Sequence, residues 1–159
     1  MLRKIGIIAV LSLIVAALAA VPALAQSGHF LDRTVECTDI GTQLQCDAKV
    51  AGLGGTTFQI DVTASGTGTV ECHNPSGNVA PGQDTTVTAG GSTGPIPTPR
   101  NGSFTFNNLT TVAPANLIGR PTCPNNQWTG VITDVEFGDA TLTLREDGTI
   151  SDTITVPVN

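Results

Sequence analysis

The stretch from Val35 to Val50, VECTDIGTQLQCDAKV, decides the fold. Read as a hairpin with Gly41-Thr42 as a two-residue turn and glycine in the first central position, it sets Cys37 directly opposite Cys46. The same register puts Val35, Cys37, Leu44, Cys46, Ala48 and Val50 on one face. It puts Thr34, Glu36, Thr38, Gln43, Gln45, Asp47 and Lys49 on the other. Counted from the turn, the two cysteines form a non-hydrogen-bonded pair, where opposing Cα atoms lie closest and a disulfide closes. The cost is Glu36 facing Asp47, with Lys49 on the diagonal to relieve it.

Working outward, apolar residues recur with period two and no window sustains a helical spacing. Strands are expected at about 31–40, 43–51, 56–64, 68–73, 84–89, 102–110, 127–137, 140–145 and 149–157, with turn signals about every eight to twelve residues. That is the rhythm of an all-β, antiparallel two-sheet sandwich, immunoglobulin-like or a similar Greek key, of about 7–9 strands. Near the C-terminus, a three-residue loop Glu146-Asp147-Gly148 with Gly148 left-handed pairs Leu144 with Ile150 and Ala140 with Ile154. A two-residue Asp147-Gly148 turn would split these side chains between faces. Gly90 to Arg100, with Pro95, Pro97 and Pro99, reads as a crossing between sheets. Cys72 and Cys123 flank that crossing and are expected to form the second disulfide. The chain-entropy model gives about 2.5 kcal/mol for the short bridge and about 4 kcal/mol for the long one.

The first residues read as a secretion leader: Arg3 and Lys4, an apolar run from Ile5 to Ala20, a break at Pro22 and an Ala23-Leu24-Ala25 cleavage pattern. The expected division is a cleaved signal peptide over 1–25 and one sandwich domain over 26–159, released to the extracellular space with no further membrane span. Without Arg3 and Lys4, five basic residues face thirteen acidic ones, a net charge of −8. Such a field repels phosphate backbones and anionic lipid, which sets aside nucleic acid and membrane surfaces as partners. Five Phe, one Trp and no Tyr favour a thin core rich in β-branched side chains over a deep ligand cavity.

The loop Cys72-His73-Asn74-Pro75-Ser76-Gly77-Asn78-Val79-Ala80-Pro81-Gly82-Gln83, with Ala51-Gly52-Leu53-Gly54, Asn101-Gly102 and Cys123-Pro124, resembles a family of small secreted bacterial and fungal proteins. Those proteins share an Ala-Gly-Leu-Gly turn, a Cys-x-Asn-x-Gly-Gly-Asn loop and a later Cys-Pro. The resemblance covers most of the chain after the leader and implies no activity. Ser76 replaces a glycine of the pattern, and the Cys37 and Cys46 hairpin is an addition to it. Asn, Gly and Pro at this density describe an ordered surface loop fixed by a bridge.

Strict alternation places Trp128, Ile132, Asp134 and Glu136 on one face of their strand, which with Asn74 and Asn78 is the candidate ligand surface. A bulge at Gly130 would instead turn Trp128 into the core, which is the expected placement. Asp134 and Glu136 are spaced as an inverting glycosidase pair would be, without a cleft or sugar-holding aromatics beside them. Asp134, Glu136, Asp139 and Asp152 are candidate calcium ligands without EF-hand spacing. A chain starting at Ser27-Gly28-His29 would chelate copper or nickel, whereas the Ala25 cleavage pattern removes that terminus. His29 and His73 are the only histidines, and no Gly-x-Ser-x-Gly nucleophile segment accompanies them. The expected function is a secreted, non-enzymatic extracellular module, structural or ligand-binding, with no cofactor. Its partner would be an unknown extracellular ligand or envelope component, and it would be a monomer or weakly self-associating. The alternative is a small secreted hydrolase or metal-dependent enzyme using Asp134 and Glu136 or His29 and His73.

Overall fold

The period-two pattern becomes two antiparallel sheets in the computed structural model, which describes residues 27–159. The leader expected over 1–25 and the mature start expected at Gln26 lie outside the described residues. The strands are β1 (His29–Phe30), β2 (Glu36–Asp39), β3 (Leu44–Ala51), β4 (Thr57–His73), β5 (Val79–Pro81), β6 (Thr85–Ser92), β7 (Ile96–Pro97), β8 (Ser103–Thr110), β9 (Leu117–Ile118), β10 (Thr129–Glu146) and β11 (Thr149–Val156). Among the described residues no helix is long and apolar enough to cross a membrane.

The front sheet centres on β3, with β8 along one edge and β2 and β1 along the other. Cys37 pairs with Cys46 and Glu36 with Asp47, as the hairpin register requires, and Gly41 takes φ +95° in the turn. Leu44, Cys46, Ala48 and Val50 are buried, and Lys49 is exposed. A 3-10 turn, Asp32–Thr34, shortens the strand expected over 31–40 to β2, and β1, which precedes that turn, meets β3 in a different register.

The back sheet is built on β4 and β10, each of which fuses two of the expected strands. β11 borders β10, while β7, β6 and β5 follow one another along the far edge of β4. Two irregularities let β10 run this far. Thr133 is an extra residue opposite the step from Val70 to Thr69, and Gly138 and Asp139 together oppose Ser65. Each bulge switches which parity points inward. Gly130 and Ile132 face the core below the first bulge, Val135 and Phe137 between the two, and Ala140, Leu142 and Leu144 beyond the second.

The C-terminal hairpin corrects the expected three-residue loop. Glu146 pairs with Thr149 across a two-residue Asp147-Gly148 turn, with φ 47° and 84°, the conformation an Asp-Gly pair favours. Ser151 then forms a bulge, so that Leu142 meets Ile154 and Ala140 meets Val156, while Ile150 pairs with Arg145 and is exposed. The bulge restores the shared inner face that a two-residue turn alone would have denied.

Two cores result. The larger one lies between the sheets and includes Phe30, Leu44, Val50, Phe58, Ile60 and Leu142, with Phe58 and Phe104 facing across the layers at 5.1 Å. The smaller gathers Val70, Val87, Ile132, Val135 and the Cys72–Cys123 bridge, covered by Leu117 and Trp128. Residues 93–102 carry the chain from the back sheet to the front one, as the proline-rich stretch implies, although Ile96 and Pro97 still pair with β4 on the way.

At the Phe58 end, carboxyl groups of the last hairpin accept backbone donors. Glu146 points inward and is 0% exposed; its two side-chain oxygens accept N–H groups from Gly28 at 3.0 Å, Gly54 at 2.7 Å and Gly55 at 3.2 Å. Asp147 receives the hydroxyl and amide of both Thr56 and Thr57, and Asp152 receives the Phe30 amide at 2.8 Å. The Ala51-Gly52-Leu53-Gly54 turn and the segment from Gly28 to Phe30 are thereby fixed to the far end of the chain.

Removing the Glu146 acceptor leaves three N–H groups without a partner in or near the core. Glu146→Ala is expected to lose about 3 kcal/mol in urea unfolding, and Glu146→Gln, which keeps one acceptor oxygen, roughly half of that. Hydrogen bonds from the Thr56 hydroxyl, then the Thr57 and Thr56 amides, hold the Asp147 carboxyl down to about 2. A carboxyl lowered on folding stabilises above its unfolded value of about 3.9 and loses that contribution as pH falls through about 2. The thermal midpoint of the wild type should therefore fall between pH 4 and pH 2, with a shallower fall in Asp147→Asn.

Candidate functional site

The residues singled out from sequence fall into separate places. Trp128 and Ile132 turn inward onto the smaller core, Trp128 half-buried and Ile132 buried, whereas Asp134 and Glu136 stand exposed on the outer side of β10. The bulge that separates them is at Thr133, not at Gly130 where it was expected; the preferred core side for Trp128 is reached through that different residue. Strict alternation had put all four on one face, and the extra residue splits them.

Asn74 is spent on its own loop: its Oδ1 accepts the amides of Ser76 at 3.0 Å and Asn78 at 2.8 Å, and its amide donates to the Asn78 carbonyl. Asn78 is exposed. Both cysteine pairs are closed, Cys37 with Cys46 and Cys72 with Cys123.

The histidines sit at opposite ends of the molecule. His29 Nδ1 is 3.0 Å from the Ser27 carbonyl, and His73 Nε2 is 3.6 Å from Glu71 Oε2 on the rim of the disulfide end. The Gly28 amide is given to Glu146, so the backbone nitrogen that an amino-terminal copper or nickel chelate needs is already committed. Of the four calcium candidates, Asp152 is spent on the Phe30 and Thr153 amides. Among the described residues, no group of three or more His, Cys, Asp or Glu side chains is placed to hold a metal ion.

Two of the concave regions among the described residues bear on the site. One, of about 500 Å³, lies at the disulfide end between Pro81, Gln83, Arg120, Pro121 and Pro124. The other, of about 570 Å³, is a shallow groove on the outer face of the back sheet, lined by Asp61, Thr63, Gly90, Ser92, Thr143 and Arg145. It forms because register places Thr143 beside Asp61 and Thr63 beside Gly90, three adjacent strands contributing one short stretch each. Arg145 Nε donates to Asp61 Oδ2 at 3.1 Å and Gln59 Nε2 to Asp61 Oδ1 at 2.7 Å. Burial by itself raises the Asp61 carboxyl, but hydrogen bonds from Ser92 and Gln59, with the Arg145 cation, outweigh it and hold the group below the ordinary carboxylate value. Val112 stands on the rim, 73% exposed, its amide bonded to the Gly90 carbonyl at 2.9 Å.

The alternation of β4 and β10 was the signal that could have found this groove. It needed the pairing of two strands more than fifty residues apart, which no local pattern supplies.

No family model matches the chain, and no curated protein matches it. Among solved structures it is similar to a glycosyl hydrolase family 2 member from Bacteroides cellulosilyticus, at a TM-score of 0.35 and 11% identity over 82% of this chain; the chain spans 14% of that protein.

The smaller core hangs on one covalent link between β4 and the segment that covers it. The Cys72→Ser/Cys123→Ser double variant should release Leu117 and Trp128, seen as a red shift of the single tryptophan's emission, and lose about 4 kcal/mol. The corresponding Cys37 and Cys46 double variant should lose less and leave the emission unchanged.

Proposed function

We propose that the chain is a secreted, non-enzymatic extracellular module whose role is structural or ligand-binding, toward an envelope or matrix component. The observation that carries this reading is how its acids are used. Glu146, Asp147, Asp152 and Asp61 serve as acceptors that tie the fold together, and Asp134 and Glu136 stand on an open strand face with Trp128 and Ile132 turned away from them. General acid–base chemistry needs a positioned pair beside a substrate platform, and the bulge at Thr133 pulls those two requirements apart.

The thiols support an oxidising compartment. Two closed disulfides persist in oxidising surroundings, which fits release from the cell behind the Ala23-Leu24-Ala25 pattern. The net charge of −8 after leader removal supports solubility there and disfavours anionic polymers as partners.

Non-reducing peptide mapping of the secreted protein should return an N-terminus at Gln26 and the two bridges. A panel of glycoside, ester and peptide substrates, with and without added calcium or zinc, should show no turnover. Turnover by the wild type that disappears in Asp134→Asn or Glu136→Gln would replace this reading with the hydrolase.

A further inference from the structure

We propose that the outer-face groove around Gly90 is a binding site for a neutral saccharide. The inference rests on the reading of the chain as a ligand-binding module and names the surface and the ligand chemistry.

Gly90 is the first reason. It lies inside β6 with ordinary extended backbone, and a Cβ added to it would meet nothing nearer than the Val62 carbonyl oxygen at 3.7 Å and Thr63 Cγ2 at 4.0 Å. The next residue is the opposite case: a Cβ on Gly91 would run into the Thr110 carbonyl oxygen at 2.7 Å, so the approach of β8 demands a glycine there. The fold does not demand one at 90. Glycine weakens a strand interior, and where neither conformation nor packing requires it, the space it leaves is the remaining explanation. That space is the middle of the groove, between Thr63 and the Val112 rim.

The lining selects the ligand. Asp61 and Arg145 are locked to each other and nearly cancel, so the groove holds a carboxylate and a guanidinium in fixed relation without a net charge to favour an ion. The hydroxyls of Thr63, Ser92 and Thr143 surround the pair. Neighbouring hydroxyls of a sugar, each both donor and acceptor, can bridge such a pair, and an anionic ligand would meet an overall field of its own sign. A peptide is disfavoured by place: the groove lies on a sheet face, where the backbone groups of β4 are spent on β6 and β10, leaving no free strand edge for a peptide to extend. The exposed Val112 and the threonine methyls offer apolar contact for the C–H face of a sugar ring.

The test is an amide chemical-shift titration of the isotope-labelled mature protein with cellohexaose, xylohexaose, mannohexaose and hexa-N-acetylchitohexaose. At least one should shift the amides of Val62, Thr63, Gly90, Gly91, Val112 and Thr143. Gly90→Val should then weaken binding at least tenfold while its thermal midpoint stays equal or rises, since a β-branched residue suits that strand. Val112→Asn, altered on the exposed rim alone, should weaken binding as well and provides the check should Gly90→Val misfold. The assignment is overturned if none of the four sugars binds, if both variants bind as the wild type does, or if the shifts gather around Gln83 and Arg120. Cleaved sugar in the same tubes, with the shifts still on the groove, would uphold the site and overturn the non-enzymatic reading instead.

Discussion

The antiparallel pairing of β4 with β10 extends from Phe58 and Glu146 at one end to His73 and Thr129 at the other, about 50 Å at the usual rise per residue. The longest strands of the front sheet, β3 and β8, have eight residues, about 26 Å. A sandwich can cover its longer sheet only as far as the shorter one reaches, so half of the inner face of the back sheet needs another lid. The segment between β8 and β10 supplies it with Leu117 and Trp128, and Cys123 bonds that lid to β4. Phe137, between the two bulges of β10, packs against both cores and joins them. The second disulfide is therefore a consequence of the mismatch in length, and its long loop follows from the lid coming after β8 in the chain.

At the opposite end the same ladder is closed by polar groups. An inward-pointing glutamate is costly unless its oxygens are satisfied. Here the Glu146 oxygens collect amides from the N-terminal segment and from the Ala51-Gly52-Leu53-Gly54 turn, neither of which has a strand partner at those atoms. Two deficits cancel: orphan donors at the edge of the fold and a buried acceptor beside them. Asp147 and Asp152 repeat the arrangement nearer the surface. Three of the thirteen acids thus link the last hairpin to the first half of the chain. The C-terminus completes the closure on the front sheet, where Asn159 exchanges hydrogen bonds with Cys37 and Asp39.

What the sequence made legible follows from how many constraints converged on each element. In the Cys37 and Cys46 hairpin, the apolar pattern, the glycine turn and the thiol pairing all required one register, and that register is the one observed. At the C-terminal hairpin only the apolar pattern spoke, and it was satisfied equally by a longer loop or by a short turn plus a bulge; Ser151 carries no mark that distinguishes them. Thr133 is equally unmarked, and its insertion decides whether Trp128 shares a face with Asp134. The fusion of two pairs of expected strands was hidden for a related reason. The expected strands stop at 64 and resume at 68, yet Gly66, in the gap between them, lies so close to the Glu136 carbonyl that any side chain would collide with the partner strand. The polar closure at Glu146 was illegible because it depends on three amides drawn from distant parts of the chain.

The bulges also divide the outer face of the back sheet into two zones. Toward the disulfide end, Glu71, Asp134 and Glu136 project into solvent among Thr67, Thr69 and Thr86, with no arginine or lysine in those rows. Toward the turn of the last hairpin, Thr63, Thr141, Thr143, Thr153 and Thr155 lie in register around the one internally paired Asp61 and Arg145. Without the two-residue step at Gly138 and Asp139, β10 would carry its acids and its threonines on opposite faces, one of them buried. With it, both sets face outward but in sequence along the strand, an acidic zone that reaches as far as Asp139, beside Thr63 and Thr141, and a hydroxyl zone beyond it that a neutral partner can approach at lower desolvation cost. The geometry that lets a long strand stay paired is the geometry that sorts its surface.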